Sequence, residues 1–120
     1  MVFHTVAPVH GVSDTVQHQV NVEGTEVLLE MCTHHSLAGS VKKFVYTSST
    51  GVVWKVDDFR GVSEEQVSIP SEGYDSYHHT KAIAEKLVLE ANNKSMCTTV
   101  IRPCGMVGYV YCYQSECRFL

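Results

Sequence analysis

The chain has 120 residues, 44% of them hydrophobic, and a formal charge of −4, which allows one small domain with a modest core. The acidic balance leaves no basic footprint for nucleic acid, and no apolar run approaches the roughly 18 residues of a membrane-spanning helix. The opening Met1-Val-Phe-His-Thr-Val-Ala-Pro8 lacks the basic start and apolar stretch of a secretory signal, so the chain reads as soluble, intracellular and cytoplasmic.

The first five residues are a short β-prone run closed by Pro8 and Gly11. From about Asp14 to His35 the pattern is helical, with Asp14 as the expected cap. Val16, Val20, Val27, Met31 and Cys32 form the expected buried stripe. Gly24 falls on that stripe, where a glycine costs about 1 kcal/mol relative to alanine, so it is expected to allow close packing against a sheet. Phe44-Val45-Tyr46 is the strongest strand signal, apolar enough to be buried on both faces.

Between Thr50 and Ser76 periodicity fades, and a long surface loop is expected, carrying Trp54, Phe59 and the acidic pair Glu64-Glu65. A second helix is expected over about 77–92, burying Ile83, Ala84, Leu87, Val88 and Ala91. Cys97-Thr-Thr-Val-Ile101 is a third strand, ended by Pro103 and Gly105. Strand, helix, strand, loop, helix, strand implies parallel strands with helical crossovers. Chemistry in such sheets gathers at the carboxyl ends of strands. The last twelve residues, 109–120, share little with the pattern before them and read as a divergent tail.

Five cysteines (Cys32, Cys97, Cys104, Cys112, Cys117) are an odd number without C-x-x-C spacing, which argues against a disulfide framework or a structural zinc site. His34-His35 and His78-His79 are adjacent pairs. Neighbours on a helix diverge by about 100°, so neither pair makes a good clamp, and no metal site is expected.

Tyr77 and Lys81 stand four apart, and i and i+4 share one helix face. Ser49, delivered from a strand end, can meet them. Such a trio can move a proton on and off an alcohol or carbonyl oxygen. Tyr-x-x-x-Lys alone is a weak signal; the strand-borne serine and the helix around Lys81 strengthen it. The lesser, structural reading makes Tyr77 an ordinary first-turn tyrosine with Lys81 solvated, and Ser48 and Ser49 strand-end caps.

Several stretches together resemble the extended short-chain dehydrogenase/reductases, and within them the 3β-hydroxysteroid dehydrogenase family. They are Val2-Phe-His-Thr-Val-Ala-Pro-Val-His-Gly11, Asn21-Val-Glu-Gly-Thr25 and Val41-Lys-Lys-Phe-Val-Tyr-Thr-Ser-Ser49. Further on come Tyr77-His-His-Thr-Lys81-Ala-Ile-Ala-Glu-Lys-Leu-Val-Leu89 and Ile101-Arg-Pro-Cys-Gly-Met-Val-Gly108. The likeness spans residues 2–108. The fold it implies is α/β, a partial Rossmann-type doubly wound parallel sheet over residues 1–108. The Gly-rich first strand-turn-helix, the other N-terminal strands and the C-terminal substrate lobe of the family have no counterpart here. The chain is therefore expected to be the middle of an enzyme, with little dehydrogenase activity by itself.

By position, the resemblance implies that Tyr77 takes the proton from a sterol or steroid 3β-hydroxyl. Lys81 supplies positive charge and holds the nicotinamide ribose, and Ser49, preferred over Ser48, donates to the substrate oxygen. Pro103 and Met106 match positions bordering the nicotinamide carboxamide, and Ala7 matches the backbone beside the adenosine ribose and phosphates. Asn21, Gly24 and Thr25 read as helix-packing residues. The implied cofactor is NAD or NADP, with NAD favoured, and the implied setting is the endoplasmic reticulum surface or lipid droplets, with a homodimer for the full-length family. Two alternatives stay open. One is another extended short-chain reductase or epimerase acting on a non-steroid substrate. The other is a non-catalytic remnant that binds a partner through exposed sheet edges.

Overall fold

The computed structural model describes residues 1–9, 11–33, 41–54 and 60–105. Phe59, Met106, the pair His34-His35 and the tail 109–120 lie outside them. Three parallel strands, β1 (Val2–His4), β2 (Lys43–Thr47) and β3 (Cys97–Ile101), form one sheet in the order β1-β2-β3. Their register pairs Val2 with Phe44, and Phe44 in turn with Thr98. This is the parallel α/β arrangement that the alternation of elements implies.

The crossover from β1 to β2 is helical in three parts: α1 (Asp14–His18), a π-helical turn (Gln19–Glu23) and α2 (Gly24–Thr33). Ser13, not Asp14, caps α1, its hydroxyl accepting the Val16 N–H at 3.4 Å. The expected apolar stripe is also corrected. Val27 and Met31 are exposed, while Gln17, Asn21, Val22, Thr25, Leu29 and Cys32 are buried. The wide π turn carries an extra residue and rotates the inward face away from a plain 3.6-residue period. Gly24 is exposed, and a Cβ there would meet only the Gln19 carbonyl at 3.5 Å. It therefore performs no close packing against the sheet.

The buried face of this crossover is polar where it passes the sheet end, and most of its groups are paired, although Asn21 Oδ1 has no hydrogen-bond partner among the described residues. Asn21 Nδ2 donates to Gln17 Oε1 and to Thr80 Oγ1, both at 3.0 Å. The Thr25 hydroxyl donates to the Asn21 carbonyl at 2.6 Å and lies 2.9 Å from His4 Nε2. Burial, with the Lys81 ammonium adding to it, pushes His4 below its ordinary pKa and favours the neutral imidazole that such a site needs.

Helix α3 (Ser76–Glu90) crosses back from β2 to β3 and is capped by Asp75, whose Oδ1 accepts the His78 N–H at 2.8 Å. Leu29 and Cys32 from α2 and Ala84 and Val88 from α3 pack on Phe44, Tyr46 and Met96. Both crossovers thus cover the same sheet face. Among the described residues the other face is open: Phe3 is 66% and Ile101 51% exposed, and Val45, between two fully buried aromatics, is half-buried. Burial of β2 on both faces is therefore not realised by the described residues. The described parts of the connection after β2 carry more regular structure than expected. Two 3₁₀ turns, Thr50–Val53 and Glu64–Gln66, punctuate it, and Val52, Val53, Val67 and Ile69 form a second small core on Ala82.

Candidate active site

The β2–β3 pairing continues beyond the strands themselves. Ser48 N–H donates to the Ile101 carbonyl at 2.7 Å and Thr50 N–H to the Pro103 carbonyl at 3.0 Å. The serines and Pro103 are thereby held side by side at the carboxyl end of the sheet. The first turn of α3 arrives at the same place. A cleft of about 370 Å³ opens there, and Ala7, Ser49, Tyr77, Lys81 and Pro103 all line it, together with Ser48, His78 and Cys104. The residues singled out from sequence among the described residues thus converge on one cavity. Met106 lies outside the description.

Ser49 caps the Thr50–Val53 turn, its Oγ accepting the Gly51 N–H at 3.1 Å. That bond occupies a lone pair and leaves the hydroxyl proton to donate. Ser48 is buried, and its Oγ has no hydrogen-bond partner among the described residues. An orphaned polar atom on the wall of a cleft is an opening for a bound group to fill.

Lys81 is 2% exposed. Its Nζ donates to the Thr47 carbonyl at 2.5 Å and lies 4.4 Å from the centre of the Tyr46 ring, a cation–π placement. Burial lowers its pKa from 10.5 to about 8, the nearby Glu85 carboxylate working in the opposite direction. Burial, with Tyr77 and Glu85 adding to it, raises the Tyr46 phenol well above its ordinary value. Tyr46 is thus a neutral, apolar-faced platform for the amine.

The stability consequence has a definite sign. Between pH 8 and 10.5 the folded chain binds fewer protons at Lys81 than the unfolded chain does, so stability rises with pH across that window and is lost again as pH falls through 8. Tyr46 acts oppositely above about pH 10, where only the unfolded phenol ionises. Urea denaturation of the chain and of Lys81→Met should therefore diverge with pH. The wild-type chain is expected to gain up to roughly 3 kcal/mol relative to the variant from pH 7.5 to 10.5. A flat difference would show that the amine is not desolvated.

Several residues that sequence reasoning passed over complete the site. Asp75 Oδ1 lies 2.7 Å from His78 Nδ1, besides accepting the His78 N–H. Burial alone would raise the Asp75 carboxyl, but these bonds outweigh it and hold it below its ordinary value. Gly73 is obligatory in its place, since a Cβ there would come within 2.3 Å of the His79 backbone nitrogen. Glu85 is 1% exposed, one turn beyond Lys81, and pairs with Arg102 across two carboxylate oxygens. The four-residue step from Lys81 to Glu85 was the available signal. Among the described residues no three His, Cys, Asp or Glu side chains gather as a metal site, and no helix is long and apolar enough to cross a membrane.

Parallel strands joined by helices packed on one face, with the cleft at their carboxyl ends, define a partial Rossmann-like α/β fold. The model of the 3-beta hydroxysteroid dehydrogenase/isomerase family matches residues 1–115, and the chain belongs to that family. It is 40% identical over 108 residues to the sterol-4-alpha-carboxylate 3-dehydrogenase (decarboxylating) of Schizosaccharomyces pombe, covering 90% of this chain and 30% of that one. The Saccharomyces cerevisiae enzyme of the same description is 38% identical over 110 residues, with the same coverage. A 3 beta-hydroxysteroid dehydrogenase/Delta 5-->4-isomerase of Mycobacterium tuberculosis is 37% identical over 116 residues, covering 89% of this chain and 30% of its own. The chain thus spans about 30% of the length of these relatives.

Proposed function

We propose that this chain is the cofactor-binding and proton-handling part of a nicotinamide-dependent dehydrogenase that oxidises the 3β-hydroxyl of a sterol. The convergence of Ser49, Tyr77 and Lys81 on one cleft with Ala7 and Pro103 carries the reading, in a chain of this family. Tyr77 takes the hydroxyl proton as general base, and Ser49 donates to the same oxygen and fixes it in place. Lys81, anchored on Thr47, sets positive charge one helical turn behind the phenol and holds the ribose. Pro103 borders the carboxamide, with Met106 as its companion, and Ala7 lies beside the adenosine half.

The nicotinamide, NAD in this reading, supplies the hydride acceptor. The cleft suits it, being lined by Thr5, Ala7 and Gly105 together with Ser48, whose hydroxyl has no hydrogen-bond partner among the described residues. The relatives named for sterol 4-carboxylates point to a 4-carboxysterol as substrate. Removing its C3 hydride and hydroxyl proton leaves a β-keto acid, whose ketone accepts the electron pair released as carbon dioxide leaves. The same reading places the working enzyme at the endoplasmic reticulum surface or on lipid droplets, as a homodimer.

The test is transplantation: residues 1–108 replace the matching stretch of the fission-yeast relative, and the chimera is assayed with a 4-carboxysterol and NAD. NADH formation is the expected result. A chimera that melts cooperatively yet forms no NADH overturns the proposal.

A further inference from the structure

We infer that His78 is a positioning residue, a spacer that sets the separation between the Ser49 hydroxyl and the Tyr77 phenol. The inference rests on the roles just proposed for those two residues. His78 immediately follows Tyr77 and belongs to the first turn of α3, and Asp75 fixes its ring through the 2.7 Å contact to Nδ1. The opposite edge of the ring lies on Gly51. A Cβ at Gly51 would come within 2.0 Å of His78 Cδ2 and 2.3 Å of Nε2, so the imidazole rests directly on the backbone of the turn. Gly51 N–H, in turn, donates to Ser49 Oγ. The sequence of contacts from Asp75 through His78 and Gly51 to Ser49 therefore ties the helix that carries the phenol to the turn that presents the hydroxyl.

Neighbouring rings leave the imidazole little freedom. Tyr77 stands edge-on at 5.3 Å between centroids, Tyr74 edge-on at 6.1 Å and Trp54 at 6.4 Å. Trp54 and Tyr74 themselves meet at 4.3 Å between centroids. The helix start and the Thr50–Val53 turn come from distant parts of the sequence, and the thickness of this ring is what separates them. A displacement of about 1 Å between reacting groups can cost 10²-fold in rate, so a spacer of this kind has kinetic weight without touching substrate.

The test has two arms. In the 120-residue chain, NMR follows the Gly51 amide and the Ser49 Cβ in wild type, His78→Ala and His78→Phe. Loss of the ring is expected to move and broaden both signals, and Phe, which keeps the thickness but not the Asp75 bond, should restore them in part. In the chimera, His78→Ala is expected to lower kcat roughly 10²-fold with KM little changed, and His78→Phe to recover part of that loss. A drop in melting temperature with the Ser49 and Gly51 signals and kcat unmoved would make His78 a simple capping partner and overturn the inference. If the unsubstituted chimera is inactive, the functional reading fails, while the NMR arm still decides whether His78 sets the turn.

Discussion

Tyr77→Phe in the active chimera is expected to lower kcat by about 10²–10⁴-fold, the usual contribution of a positioned general acid or base, while KM changes little. The substitution removes one oxygen and leaves the ring. The edge-on contact with His78 at 5.3 Å and the half-buried position in the first turn of α3 are kept, so folding should be nearly unchanged. What disappears is the group proposed to accept the substrate proton. Ser49 is a poor substitute, because its proposed role is to donate and a lone pair is already engaged by Gly51 N–H. Lys81 is no replacement either, since its amine already donates to the Thr47 carbonyl. Equal falls in kcat and kcat/KM would locate the lost interaction in the transition state. A loss below about tenfold would remove Tyr77 from the chemistry and leave it as a packing residue of the helix start.

Where local pattern decides structure, the sequence was a good guide. Cys97–Ile101 forms a strand over the expected residues, and Phe44-Val45-Tyr46 is the centre of β2, because runs of β-branched and aromatic residues suit a pleated surface. The gathering of Ser49, Tyr77 and Lys81 was legible as well. It follows from strand ends lying together in a parallel sheet and from the i, i+4 geometry of a helix.

The errors in the inward faces of the helices have a common cause, which is polar burial. Periodicity assigns the inward face to apolar residues, yet the crossover after β1 turns Gln17, Asn21 and Thr25 inward, and α3 turns Thr80, Lys81 and Glu85 inward. Gln17 is held within the helix by Asn21, but the others are held by partners remote in sequence: Asn21 and Thr80 by each other, Thr25 by His4, Lys81 by Thr47 and Glu85 by Arg102. Such pairings become visible only when the elements are packed. The π turn compounds the error by shifting the helical phase between α1 and α2. The exposed Val27 and Met31 are the apolar side of that shifted helix.

Glu85→Ala is expected to destabilise the chain by about 3–5 kcal/mol, the cost of removing one partner from a buried ion pair. Glu85 is 1% exposed and receives Arg102 Nε on both oxygens, at 3.1 and 3.2 Å, with Nη2 also on Oε1. This is the forked geometry that fits guanidinium to carboxylate. Deleting the carboxylate leaves the Arg102 guanidinium, largely covered at 20% exposure, without its counter-charge. It also removes the negative group that offsets desolvation of Lys81, so the amine is expected to titrate lower still. Small domains hold only about 5–15 kcal/mol in reserve, and a loss of this size leaves a substantial unfolded fraction. Urea denaturation of Glu85→Ala, Arg102→Ala and the double variant separates the terms. The double variant is expected to be less damaged than the two single losses added together, since it leaves no unpaired charge. Additive losses, or a cost for Glu85→Ala below about 1 kcal/mol, would mean that water already screens the pair. Arg102 immediately precedes Pro103 on the cleft wall. The same ion pair that stabilises the packing of α3 on β3 therefore also holds the loop against which the nicotinamide is proposed to lie.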